Sequence, residues 1–165
     1  MAHDYVLPAA TNIGHVHLKV SDLERSIGFY RDVLGFELML RMGEAAFLSA
    51  GGYHHHIGLN TWESRGANAP PRHATGLYHF AIRYPDRPAL AVALRQVLEA
   101  GVRLQGAADH GVSESVYLAD PDGNGIELTI DRPREAWPRT PDGAFTMYSE
   151  PLDLDALLAL APSRT

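Results

Sequence analysis

Alternation of apolar and polar positions, interrupted twice by a helical period, is the strongest signal along this chain. I-G-H-V-H-L-K-V at residues 13–20 puts Val16, Leu18 and Val20 on one strand face and His15, His17 and Lys19 on the other. S-D-L-E at 21–24 has the form of a capping box, with Ser21 as N-cap and Glu24 reaching back. Leu23, Ile27, Tyr30 and Leu34 follow at helical spacing, and Gly35 supplies the stop. Three strands are predicted next, at residues 36–41, 45–50 and 53–60, with Gly-containing turns between them.

The same order then recurs. A strand at 77–83 leads to a helix capped by Asp86, with Pro88 in its first turn and Gly101 at its end. Leu90, Leu94, Val97 and Leu98 are its expected buried stripe. Strands at 102–104, 115–118 and 125–130 complete the set. His15 falls on His79 at an offset of 64 residues, and Gly35 on Gly101 at 66. The pattern therefore predicts an α+β fold: two tandem βαβββ modules forming a curled mixed sheet around a cavity, with the helices outside. One domain is expected over 1–165, with module one at 11–61, a Pro-containing connector at 62–75 and module two at 76–131. Residues 132–165 follow as an irregular arm and a short helix near 152–161.

Strand parity sorts the chemistry. Phe80 and Ile82 oppose His79; Ile126, Leu128 and Ile130 oppose Glu127 and Thr129. Val116 and Leu118 oppose Ser115 and Tyr117, and Ile57 and Leu59 oppose His54, His56 and Asn60. The apolar faces need cover, which two amphipathic helices can give. The other faces either look into water, as in an ordinary antiparallel sheet, or line a cavity. A solvated face is usually rich in Lys, Thr and Arg; His, Tyr, Glu and Asn favour the cavity.

Composition narrows the classes. A chain of 165 residues, 45% hydrophobic and 21% charged, is long enough to bury a core. A net charge of -6 leaves no basic surplus for nucleic acid. No apolar run is long enough to span a membrane, no secretory leader is expected, and cytoplasm is the default location. With no Cys, thiolate chemistry and cysteine zinc sites are excluded. Nine His is a surplus that asks for a use. Two His and one carboxylate on separate strands, with coordination positions left open, form the facial triad of non-haem Fe(II) sites. On the first strand, face alone admits His15 or His17.

These residues carry a resemblance. I-G-H-V-H-L-K-V-S-D-L-E-R-S-I-G-F-Y-R-D-V-L-G-F, G-L-Y-H-F-A-I and D-P-D-G-N-G-I-E resemble the vicinal oxygen chelate superfamily of glyoxalase I, bleomycin- and fosfomycin-resistance proteins and type I extradiol dioxygenases. The resemblance covers residues 13–130. It implies a metal held by His15, His79 and Glu127, with His15 preferred to His17 because it directly follows Ile-Gly. The stretches H-H-H-I-G-L-N and H-G-V-S-E-S-V-Y-L-A-D-P-D-G-N-G-I-E-L are similar to single-domain catechol 2,3-dioxygenase-like proteins. There the resemblance implies His56 as an acid–base residue, Tyr117, four residues before Pro121, as a substrate hydrogen-bonding group, and His110 as a pocket residue. The gap from His56 to His79 departs from the larger two-domain dioxygenases, being longer.

The activity so implied is extradiol cleavage of an aromatic diol with O2 at Fe(II), in a homodimer. Mn, Ni and Zn are the alternative metals. A glyoxalase-like isomerase or thiol transferase, with His56 as a fourth ligand, is the competing reading. A non-catalytic binding module normally lacks the triad. His55 is expected to face the helices or a partner, His73 is expected at the surface, and Asn60, Trp62 and Arg83 either line the pocket or serve the structure.

Overall fold

Each helix buries one stripe on a sheet, and the sheets owe their two-faced character to that cover. The computed structural model describes residues 5–71 and 73–163; residues 1–4, residue 72 and the last two positions lie outside it. Helix α1 (Leu23–Gly28) buries Leu23, Ser26 and Ile27, and α2 (Arg87–Glu99) buries Leu90, Ala91, Leu94 and Val97. Leu98 does not join that stripe: it lies in the last turn of α2 and is 42% exposed.

Module one forms a sheet of β1 (Val16–Lys19), β2 (Glu37–Met42), β3 (Ala45–Ser49) and β4 (Ile57–Asn60) in the order β1-β4-β3-β2. Module two forms β5 (Phe80–Arg83), β6 (Gly106–Asp109), β7 (Ser113–Ala119), β8 (Gly125–Asp131) and β9 (Glu150–Pro151) in the order β5-β8-β7-β6-β9. β1 runs parallel to β4 and β5 parallel to β8, and the remaining pairs are antiparallel, so both sheets are mixed. One buried cluster draws on both modules, from Leu18, Val20, Ile27 and Leu59 to Leu90, Leu94, Ile126 and Leu128.

Three local expectations are corrected. Asp22, not Ser21, caps α1 by accepting the Arg25 N–H at 3.1 Å, because the Ser21 hydroxyl is donated to Asp122 at 2.5 Å. Glu24 pairs with Arg41 instead of closing a capping box. The strand expected at 53–60 begins only at Ile57, since the hairpin register pairs Leu48 with Ile57 and leaves the residues between as connection. The strand expected at 102–104 is displaced to Gly106–Asp109: Val102 N–H still bonds the Val97 carbonyl at the helix end, and the ladder opens with Gln105 N–H on the Tyr117 carbonyl.

The end of the first helix widens into a π turn, Phe29–Val33, with Leu34 N–H on the Phe29 carbonyl at 3.2 Å. Within it Tyr30 is fully buried and donates to Asp120 at 3.0 Å. Asp120 also accepts Asp122 N–H, Asn124 N–H and the Asn124 side-chain amide, which closes the β7–β8 turn. Its neighbour Asp122 accepts from Ser21 N–H at 3.1 Å, the Ser21 hydroxyl and Arg25. The D-P-D-G-N turn of module two is thus the clasp that holds α1 of module one.

Burial alone would raise the Asp122 pKa, but the Ser21 hydroxyl and N–H and the Arg25 guanidinium outweigh it and hold the carboxyl below its ordinary value. A folded pKa below the unfolded one gives stability that is full above the unfolded value of about 3.9 and is lost as pH falls through the folded one. Asp122→Asn should therefore melt below the parent at neutral pH, and the gap in Tm should close on acidification below about pH 4. A gap that stays constant across a pH series of melting curves would remove the carboxylate from the clasp.

The arm after β8 is ordered against module two. Arg132 reaches Asp109 at 2.7 Å and Glu114 at 3.2 Å, and the Trp137 indole donates to the Arg132 carbonyl. β9 then adds to β6, and a short helix, α3 (Leu154–Leu158), plugs Leu157 into the core at full burial. No helix among the described residues is long and apolar enough to cross a membrane.

Candidate metal centre

Parity in module two places the chemistry as the alternation requires. Phe80, Val116, Leu118, Ile126, Leu128 and Ile130 are buried on the core side. His79, Ala81, Tyr117, Glu127 and Thr129 face the other way and line a pocket of about 370 Å³, with His110 and Met147 at its side. Glu127 sits in register between Tyr117 on β7 and Ala81 on β5. The small Ala81 leaves the carboxylate room beside its own strand.

His79 Nε2 and Glu127 Oε2 stand 3.0 Å apart, with side chains 33% and 13% exposed. Two donors at about 2.1 Å from one ion and at right angles would be about 3 Å apart. The pair therefore fits adjacent ligand positions on a first-row divalent ion, and imidazole with carboxylate suits that class of metal. Tyr117 OH lies 3.2 Å from Glu127 Oε1 and 2.7 Å from His110 Nε2. Burial, and then the Glu127 charge, push the Tyr117 phenol upward, so it stays a proton donor through neutral pH.

His15 is not brought to this pair. Among the described residues no three His, Asp or Glu side chains gather closely enough to hold one ion. His15 is exposed at the end of β1, its ring 4.4 Å from that of His55. His55 therefore faces His15 and Phe47, not the helices, because the segment before β4 does not keep strand alternation. His17 is built into its own sheet: its ring lies over Gly58, where a Cβ would come within 2.9 Å, and against Trp62 and Phe47. Burial, then the neighbouring His15, lower the His17 pKa.

His56 belongs to module one, apart from the pocket residues. Its Nδ1 accepts Ala50 N–H at 3.3 Å and lies 3.1 Å from Ser49 Oγ, which fixes the ring and leaves Nε2 as its free nitrogen. Its carbonyl accepts Val16 N–H at 3.0 Å, so His56 and His15 share the same corner of the first sheet. Asn60 is buried and accepts Trp62 N–H, a structural use; Arg83 pairs with Asp131, and His73 is exposed. The pattern reading missed Met147 at the pocket and the Tyr148 carbonyl against His110 Nδ1; both arrive from the irregular arm, where no periodicity announces them.

The comparisons with known proteins bear on the family and the fold. A family model described as the Glyoxalase/Bleomycin resistance protein/Dioxygenase superfamily matches residues 12–128. The chain is similar to a catechol-2,3-dioxygenase of Bacillus subtilis (strain 168), 44% identical over 149 residues, covering 90% of this chain and 51% of the relative. It is 31% identical to biphenyl-2,3-diol 1,2-dioxygenase 3 of Rhodococcus globerulus over 72% of this chain and 63% of that one. The chain thus spans about half to two thirds of the length of these relatives. Among solved structures, a glyoxalase/dioxygenase from Nostoc punctiforme superposes with a TM-score of 0.63 at 21% identity, covering 80% of this chain and all of that one, which supports the fold.

Proposed function

Because the chain belongs to the glyoxalase/bleomycin resistance protein/dioxygenase superfamily, we propose that it is an extradiol ring-cleaving dioxygenase that holds Fe(II) through His15, His79 and Glu127. The observation that carries this reading is the His79–Glu127 pair, 3.0 Å apart, with the Tyr117 phenol beside it at a pocket wide enough for a single aromatic ring. The relatives named for catechol and biphenyl-2,3-diol support an aromatic diol and O2 as the substrates.

When bound, the ion supplies Lewis acidity toward the two diol oxygens and a path for electrons from diol to O2. The protein does the rest. Glu127 and His79 would present two adjacent donors to the ion, and His15 the third. Tyr117 hydrogen-bonds a diol oxygen through its phenol oxygen, and His110 behind it holds that phenol in place. Met147 and Ala81 give the ring an apolar wall. His56, through its free Nε2, is the acid–base group, provided that the face it shares with His15 meets the pocket.

That meeting is the reason for a homodimer in this reading: a second copy brings His15 and His56 to the His79–Glu127 pair. Mixing His15→Ala and Glu127→Ala chains and allowing exchange should restore about a quarter of parental activity, because half the dimers are mixed and one of their two sites is intact. Mixtures as inactive as the separate variants would place all three ligands in one chain.

The activity is tested by metal content and oxygen uptake. Protein purified without added metal, then reconstituted with Fe(II) under anaerobic conditions, should consume O2 with catechols and yield ring-opened semialdehydes. Nickel or zinc in the purified protein, with no oxygen uptake after reconstitution, would instead support the isomerase reading.

A further inference from the structure

The strongest unassigned feature is the grip of the C-terminal arm on His110. Tyr148 N–H bonds the His110 carbonyl at 3.3 Å, and His110 Nδ1 lies 3.1 Å from the Tyr148 carbonyl oxygen. The two residues are thus tied by a main-chain bond and a ring bond. Gly111 makes the approach possible: its φ is +76°, and the space a Cβ would take is filled by Pro138 and the Tyr148 ring, both at 2.5 Å. Two residues further on, β9 continues the same attachment along β6.

A carbonyl oxygen has no proton to give, so His110 Nδ1 must carry the hydrogen. A neutral imidazole carries only one, which leaves Nε2 as a bare lone pair 2.7 Å from Tyr117 OH. The phenol has a single proton as well. With Nε2 able only to accept, that proton is directed to His110 at 2.7 Å, not to Glu127 Oε1 at 3.2 Å. In the opposite tautomer His110 would donate to the phenol oxygen, and the phenol proton would turn onto Glu127, occupying a lone pair that faces the pocket.

We propose that Tyr148, through its backbone carbonyl, is a positioning residue that locks His110 as the Nδ1–H tautomer and so turns the Tyr117 phenol proton away from the Glu127 carboxylate. The consequence for catalysis rests on the dioxygenase reading; the tautomer does not. It follows that the arm, which sequence patterning leaves featureless, is part of the site's hydrogen-bond order.

The test is long-range 1H–15N correlation NMR on the metal-free, full-length protein at about pH 8, where imidazoles are neutral, with His110 signals assigned by their loss in His110→Gln. The expected result is a pyrrole-like Nδ1 and a pyridine-like Nε2, reversing the preference of a free histidine side chain for Nε2–H. The same pattern should persist in Tyr117→Phe, because the arm and not the phenol sets it. An Nε2–H signature in the parent overturns the proposal, and so does a switch to Nε2–H in Tyr117→Phe. Neither measurement uses metal or turnover, so a failed dioxygenase assignment and a failed tautomer assignment give separate results.

Discussion

Glu127→Gln folds like the parent but fails to retain a divalent ion, and its oxygen uptake with catechols falls by about 10³-fold or more: this is the largest functional effect expected of one substitution here. Glutamine keeps the shape, so the buried neighbours on β8, Ile126 and Leu128, are untouched. What it removes is the negative charge, and with it one of the two donors that module two supplies. Outer-shell changes around a metal typically cost 10–100-fold in affinity or activity, so loss of a ligand itself should exceed that range. Metal content by elemental analysis and melting curves of the metal-free forms separate the two effects. A variant that binds iron and turns over normally would remove Glu127 from the centre, and the ring-cleavage assignment with it.

The legible part of this molecule is the part where local pattern and tertiary use coincide. In module two, β7 and β8 bury Val116, Leu118, Ile126 and Leu128 on one side and turn Tyr117 and Glu127 to the other, as their alternation requires. Asp86 caps α2 for the same reason: its carboxylate has no competitor and accepts Ala89 N–H at 2.8 Å. Ser21 looked equally local and was not. Asp122, about a hundred positions away, takes its hydroxyl, and no local spacing rule contains that competitor.

The His-rich segment failed for a related reason. Reading residues 53–60 as one strand gave His54 and His56 a common face, but the Leu48–Ile57 pairing ends the ladder before them. Their rings then pack on Tyr53, at 4.0 Å and 4.8 Å between centroids. Of the three candidate ligands, the structure brings two together. His79 and Glu127 meet because β5 and β8 are paired neighbours, a relation the repeat implies. His15 holds the equivalent place in the other repeat, and equivalence between modules does not by itself bring two sheets face to face. The arm was illegible, since its contacts with His110 run through backbone groups that every residue carries.

The pairing of β5 with β8 also sets the largest stability effect expected at the site. Gly125 opens β8 where the backbone of Tyr78 crosses it: a Cβ there would drive into the Tyr78 carbonyl oxygen and come within 3.1 Å of His79 Cβ. A flexible side chain could swing aside from such a contact, whereas a backbone carbonyl cannot move without taking its neighbours along. Gly125→Ala should therefore pry β5 from β8 at the point where they carry His79 and Glu127. Overpacking of this kind costs up to about 3 kcal/mol, which for a chain of this size lowers Tm by about 6–12 °C. Metal retention should fall with it, although both donors of the pair remain in the chain. The comparison that isolates the cause is Gly123→Ala, in the adjoining turn, where a Cβ meets only the Ala69 methyl at 3.7 Å and the penalty is that of a positive φ alone. If Gly125→Ala keeps its metal and melts no lower than Gly123→Ala, then close approach of the two strands is not what aligns the pair.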